Sequence, residues 1–371
     1  AGPRTFRGMS TATGSPRATY LVSRVLDFWL LGGASLLAYA IMVLGAGFRD
    51  LYGVSNQFGN LAVTMAMMSL FVNYPHFLAS YRLAYGRGKA FILKHWLQTV
   101  VAPCFLVNFL VAAYWFANEP GSKPICEKML GAAINFMYFT VGWHYSKQAF
   151  GCMMVYAAYD RYPLDRVQRE SIRYSLLSIW WYNYAYSNLA PTGSFWSLTY
   201  STWQVPFHVY YALRAVFFLG AAWVCYRVVY QNWKTGNRPN LTLWVPYVAM
   251  AVWFAPCFRQ PDYFFYVVPF FHSLQYLAFV YRVERARPSL RESATRATML
   301  VLGLCFSGWM AFELVPGNLD KAFDNLRTFG FSFFLIAANL FINIHHYFLD
   351  NVLWRVRDDE TVRAALFSND P

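Results

Sequence analysis

The feature that most constrains this chain is an alternation of apolar stretches with short basic connections. A stretch of about 20 apolar residues, wound as a helix, matches the roughly 30 Å hydrocarbon core of a bilayer. Ten such stretches can be read, over 25–47, 58–81, 96–117, 129–158, 174–188, 206–226, 241–258, 262–281, 297–315 and 328–352. They predict an all-α, polytopic transmembrane bundle. Only 13% of the residues are charged, while 57% are apolar and 20% aromatic, against about 25% charged in soluble domains. Such a composition excludes an ordinary soluble domain and a disordered chain alike.

Lys and Arg set the orientation of such a bundle, because they concentrate in cytoplasmic connections. With ten spans, 23 of the 31 basic residues fall on one side and six on the other, leaving only Lys147 and Arg214 within spans. The rich side holds the N-terminal Arg4, Arg7, Arg17 and Arg24, the connections around Arg82–Lys94, Arg161–Arg173, Arg227–Arg238 and Arg282–Arg296, and the C-terminal Arg355, Arg357 and Arg363. Both termini are therefore expected in the cytoplasm, with the chain in a bacterial inner membrane. Scattered between spans, the net charge of +13 forms no patch for nucleic acid. The domain reading is a cytoplasmic segment 1–24, one transmembrane domain 25–352 and a cytoplasmic tail 353–371.

Other punctuation is sparse. Residues 1–8 precede Met9 and read as either an expression remnant or a natural extension, and no cleavable signal is visible. The six cysteines show no metal-finger spacing, and the five that lie in or at the ends of apolar stretches read as small buried hydrophobes. Between Pro191 and Gln204 there is no charge but there are four aromatic residues, as expected of a segment lying at the outer interface. The Asn240-Leu241-Thr242 sequon falls on the cytoplasmic side and is discounted.

Ionisable residues inside spans cost roughly 2.5–3.5 kcal/mol each even on lenient insertion scales, so each needs a reason. Five histidines lie deep: His76, His144, His272, His345 and His346. They occupy the second, fourth, eighth and tenth spans, which all run in the same direction. Counted from the following basic cluster, His76, His272, His345 and His346 lie about 9–15 Å deep. His144 joins that layer if its long helix projects into the cytoplasm. Prolines precede His76 and His272; within a span they would bend the helix and free a carbonyl to fix the imidazole tautomer. Asn339, Asn343, His346 and Asp350 form one polar stripe on the last span, with Asp350 placed to orient His346. His345 points about 100° away from it.

Lys147 and Gln148 share a face with His144. Lys147 suggests a retinal Schiff base, but ten spans do not match a rhodopsin. Arg214 would pair with Glu313 or bind an anionic headgroup. The histidines themselves have a simpler role open to them, as hydrogen-bonding glue between helices.

Neutral imidazoles in an apolar cavity suit one borderline transition metal, iron, copper or zinc. The sequences Phe270-Phe271-His272-Ser273-Leu274-Gln275-Tyr276-Leu277 and Trp143-His144-Tyr145 resemble the histidine segments of the Brp/Blh family of integral-membrane beta-carotene dioxygenases. That resemblance spans about 30 residues and implies histidine-bound iron and cleavage of a carotenoid. Tyr276 stands where the family carries the second histidine of a His-x-x-x-His pair, so His345 or His346 would have to replace it. Ten spans also exceed what the family leads one to expect.

The expectation is a histidine-ligated mononuclear Fe(II) oxygenase acting on a carotenoid, isoprenoid or lipid, with membrane lipid as its surroundings. His76, His144, His272 and His346 are the expected ligands, with His345 in reserve. Gln148, Gln275, Asn343 and Asp350 would orient the cofactor, and Tyr276 and Lys147 are the candidate catalytic side chains. Two alternatives stay open: a subunit binding haem or a chlorophyll-like pigment through axial histidines, and a transporter or structural subunit of a membrane complex.

Overall fold

In a computed structural model of the chain, residues 18–52, 63–65, 67–259, 264, 267–356 and 359–368 are described. The apolar stretches fold as helices, which are numbered here with their shorter satellites left unlabelled. They are α1 (Arg24–Leu44, continuing to Tyr52), α2 (Asn73–Tyr85), α3 (Leu97–Asn118), α4 (Lys123–Tyr159) and α5 (Arg166–Ser187), then α6 (Phe207–Lys234), α7 (Leu241–Phe254), α8 (Val268–Arg285), α9 (Ala294–Ala322) and α10 (Phe333–Leu353). Among the described residues, α1, α3, α6 and α9 are long and apolar enough to cross a membrane. Their apolar side chains largely face outward, as with Leu219, Val111 and Phe306, which suits a lipid surround. At 14 residues α7 is apolar but short.

Local chemistry explains where several helices begin. Ser23 accepts the Leu26 N–H, and Asp165 and Gln168 form a reciprocal capping box. Asn240, discounted as a sequon, caps α7 by accepting from the Thr242 N–H. The 37 residues of α4 span about 55 Å, well beyond the hydrocarbon thickness.

Several boundaries differ from the sequence reading. The stretch 58–81 is not one helix: a 3₁₀ turn at Met68–Leu70 precedes α2, and Val72 breaks the helical path. Pro75 and Pro269 sit in the first turns of α2 and α8, where the missing N–H costs nothing. They start helices rather than kink them. The beginnings of the second and eighth stretches, Arg4, Arg7, Arg17, Arg357 and residues 1–8 lie outside the described residues. The uncharged segment between Pro191 and Gln204 folds as a hairpin, with β1 (Thr192–Phe195) antiparallel to β2 (Leu198–Ser201) and Phe195 paired with Leu198. The C-terminal tail contributes α11 (Glu360–Phe367), packed on α8.

Helices α2, α4, α8 and α10 form the inner group. α10 packs against α2, α3 and α4, while α8 packs against α1, α2 and α11. Close approach is bought by glycine at two points. A Cβ on Gly142 would meet the Trp180 ring at 2.4 Å, and one on Gly308 would meet Tyr74 Cβ at 2.4 Å. The first lets α4 lie on α5 two residues before His144; the second seats α9 against α2 two residues before His76.

Candidate metal centre

Four helices bring four imidazoles together, and the ligand atoms of three of them, His76, His144 and His346, converge with Asp350 while His272 stands beside that group. His76 comes from α2, His144 from α4, His272 from α8 and His346 from α10, all buried. The ring of His76 lies 4.5 Å from that of His346 and 5.2 Å from that of His272, centroid to centroid; His144 lies 5.0 Å from both His272 and His346. Asp350 joins them from the next turn of α10. Its Oδ2 is 3.4 Å from His346 Nε2 and 3.8 Å from His144 Nε2. One potential ligand atom from each of His76, His144, His346 and Asp350 lies within 4.8 Å of every other.

Two serines fix the tautomers. Ser80 donates its hydroxyl hydrogen to the Phe77 carbonyl at 2.7 Å, so at 2.8 Å from His346 Nδ1 it is left to accept. Likewise Ser273 donates to Asn73 Oδ1 at 2.8 Å and accepts from His76 Nδ1 at 3.1 Å. His346 and His76 therefore carry their protons on Nδ1, leaving their Nε2 lone pairs free. His76 Nε2, His346 Nε2 and Asp350 Oδ2 are buried without a hydrogen-bond partner. A buried polar atom left so costs about 1–3 kcal/mol, and here three acceptors converge. His144 Nε2 and His272 Nε2 are 3.1 Å apart, a hydrogen bond between α4 and α8 in which one of the two nitrogens carries the proton, and His272 Nδ1 is buried without a hydrogen-bond partner.

The structure redistributes the expected supporting roles. Tyr276 donates to Asp350 Oδ1 at 2.8 Å, so it holds the carboxylate. Asp350 itself faces His346 and His144 with its other oxygen. Gln148 bonds the His272 carbonyl and Gln275 Oε1, and Gln275 bonds the Leu31 carbonyl. Both glutamines brace the backbone behind His272 and neither reaches an imidazole ring. Asn343 donates to Asn339 O and accepts from Tyr347, whose ring stacks on His144 at 4.8 Å. The asparagines of the stripe thus back-bond to their own helix, one residue removed from the centre. Carbonyls freed by proline have no part in setting the tautomers, because the prolines lie in first turns.

His345 is turned away. Its Nδ1 meets the Tyr81 hydroxyl and its Nε2 the Gln98 carbonyl, each at 3.0 Å, which engages both ring nitrogens. Lys147 reaches outward to Asn351 Oδ1 at 2.5 Å and lies over the Trp143 ring, so it is not on the imidazoles. Glu313 accepts from Tyr74 at 2.6 Å, while the exposed Arg214 lies beside the Phe218 ring; the expected Arg214–Glu313 pair is not formed.

A cavity of about 360 Å³ touches the centre at His144, Tyr276 and Asp350 and runs to Lys147 and Arg355 at its outer end. Phe279, Trp354, Trp143 and Val155 supply apolar wall, and Leu366 of α11 closes one side. Comparison with family models, curated proteins and solved structures finds no match to the chain.

Ser80, Ser273 and Asn73 were not visible as site residues in the sequence. Ser80 lies four residues after His76, and Ser273 directly follows His272. Spacing would link each serine to its own helix, whereas each serves a histidine on another.

Proposed function

We propose that this chain is a multi-pass membrane protein holding one transition-metal ion, iron(II), for oxidation of a lipophilic substrate by dioxygen. The observation that carries the metal reading is the convergence of three unpartnered buried acceptors, His76 Nε2, His346 Nε2 and Asp350 Oδ2. Glue histidines would spend those atoms on neighbouring helices, whereas these leave them facing one another. Nitrogen donors with one carboxylate suit iron, and the aromatic surround favours an oxidative reaction on an apolar molecule over hydrolysis.

Within that reading, His76, His144 and His346 donate nitrogen lone pairs and Asp350 donates Oδ2, with His272 beside His144 as a fifth donor. Iron held there would supply the activation of dioxygen. Ser80 and Ser273 hold the ring protons away from the donor atoms, Tyr276 fixes the carboxylate, and the walls of Phe279 and Trp354 exclude water while a substrate chain lies along the cavity. A Brp/Blh-like cleavage of a polyene is one form this chemistry would take, with Asp350 completing the donor set that Tyr276 cannot. Haem or a chlorophyll-like pigment is disfavoured, because imidazoles packed ring to ring at 4.5–5.2 Å leave no slot among them for a macrocycle. We place the chain in the membrane through ten helices, with the basic connections on the cytoplasmic side.

Metal analysis with an absorption spectrum of the purified protein tests this. The expected result is about one ion per chain, lost in His144→Ala and His346→Ala, with little visible colour. An intense Soret band, or a well-folded protein that takes up no metal, overturns it.

A further inference from the structure

The two ends of the cavity are chemically opposite, which says what kind of molecule fits it. At the inner end are the buried His144, Tyr276 and Asp350; at the mouth are Lys147 and Arg355, both exposed. Neither of these two cations makes an ion pair among the described residues. Lys147 is held by Asn351 Oδ1, and Arg355 Nε by the Asn351 carbonyl at 3.0 Å. One asparagine thus gathers two like charges at one rim, an arrangement that repels itself unless an anion lies between them. Between rim and centre the wall is apolar, formed by Trp143, Val155, Phe279 and Trp354. The volume, at the small end of ordinary ligand sites, suits one hydrocarbon chain and not the two of a phospholipid.

We propose that the cavity takes a single-chain anionic amphiphile, with its acidic head between Lys147 and Arg355 and its chain directed toward His144 and Asp350. The proposal deepens the oxygenase reading by naming a substrate class, and it rests on that reading only for what happens at the chain. Binding at the head is independent of the metal. Lys147 is thereby a specificity residue at the rim.

The test uses the full chain in phosphatidylcholine nanodiscs, with dibromostearate and its neutral methyl ester as quenchers of tryptophan fluorescence. Trp143 and Trp354 line the cavity, so occupancy is read directly, and Trp143→Phe with Trp354→Phe should abolish the saturable quench. Dibromostearate should bind about tenfold more tightly than the ester, a difference of roughly 1.4 kcal/mol. The double variant Lys147→Met with Arg355→Met should erase most of that preference, while Lys234→Met with Arg296→Met, altering exposed cations that do not line the cavity, should not. Laurate and dodecyl phosphate as competitors separate a carboxylate head from a phosphate head, and displacement by either supports the proposal. Equal binding of acid and ester, equal displacement by dodecanol, or equal loss in both double variants overturns it. His346→Gln keeps the acid preference even if the metal reading fails, so the two ideas fall separately.

Discussion

Tyr276 donates a hydrogen bond to one oxygen of Asp350 at 2.8 Å, while the other oxygen faces His346 at 3.4 Å. A single carboxylate is thus shared between a structural tether from α8 and the donor group of α4 and α10. The tether fixes which oxygen is presented.

Removing it should be felt at the metal before it is felt in the fold. Tyr276→Phe keeps the ring that packs near His76 and deletes only the hydroxyl. Metal affinity should fall about 10–100-fold, as for other groups that orient ligands, measured by competition with a chelator of known affinity. Unchanged affinity would show that Asp350 is positioned by packing alone.

The serines give a second expectation. Ser80→Ala strands the Nδ1 proton of His346, and Ser273→Ala strands that of His76. Each should cost about 1–3 kcal/mol of stability and lower metal affinity by about tenfold or more. Thr should rescue each far better than Val, since the requirement is a hydroxyl that accepts. If Val restores metal binding as well as Thr, the tautomer assignment is wrong.

His345 and His346 are adjacent in sequence and should separate cleanly in function. His346→Ala removes a donor, so the metal should be lost. His345→Ala removes links to Tyr81 and the Gln98 carbonyl, so metal stoichiometry should stay near the parent's while thermal stability drops. Loss of metal in both variants to the same degree would count against the site as drawn.

Topology can be read by labelling single cysteines placed in the Arg82–Lys94 connection, near Arg363 and in the β1–β2 hairpin. The first two should react from the cytoplasmic side and the hairpin from the opposite side. A C-terminus labelled from outside would sink the ten-span arrangement.

The docked C-terminal helix gives a further handle. Arg282 donates to the Ala365 and Ser368 carbonyls at 3.1 and 2.7 Å, and Tyr159 to the Leu366 carbonyl at 2.7 Å. Arg282→Met should raise hydrogen exchange across Glu360–Phe367 and expose the cavity wall at Leu366. Exchange that stays at the parent's level would mean that Val362 and Leu366, both buried, hold the helix by packing alone.

Apolar length made the helices legible, because α1, α3, α6 and α9 are the stretches long and apolar enough to cross a membrane among the described residues. Depth counting picks out His76, His272 and His346, since burying an imidazole in a span demands a cause, and reaches His144 only through the extra length of α4. It also admitted His345, whose direction depends on a 100° turn and on what α3 offers at Gln98. Ser80 and Ser273 were invisible because their partners lie on other helices. The tail helix gives no span signal because its eight residues are too short, although Val362, Ala365 and Leu366 recur at helical spacing. Glu313 satisfied by Tyr74 rather than Arg214 is the same lesson: which polar groups meet is decided by packing between helices.

Each of the four inner helices brings donor atoms that no neighbour in sequence can supply, and 266 residues separate Ser80 from the His346 it orients. Chain order alone means that His76 on α2 meets no partner from α10 until the last of these helices has been made. Metal capture would then be a late step in biogenesis and would mark completed chains. A truncated or misinserted copy lacking α10 would lose two donors at once, so metal occupancy would itself report that assembly had finished.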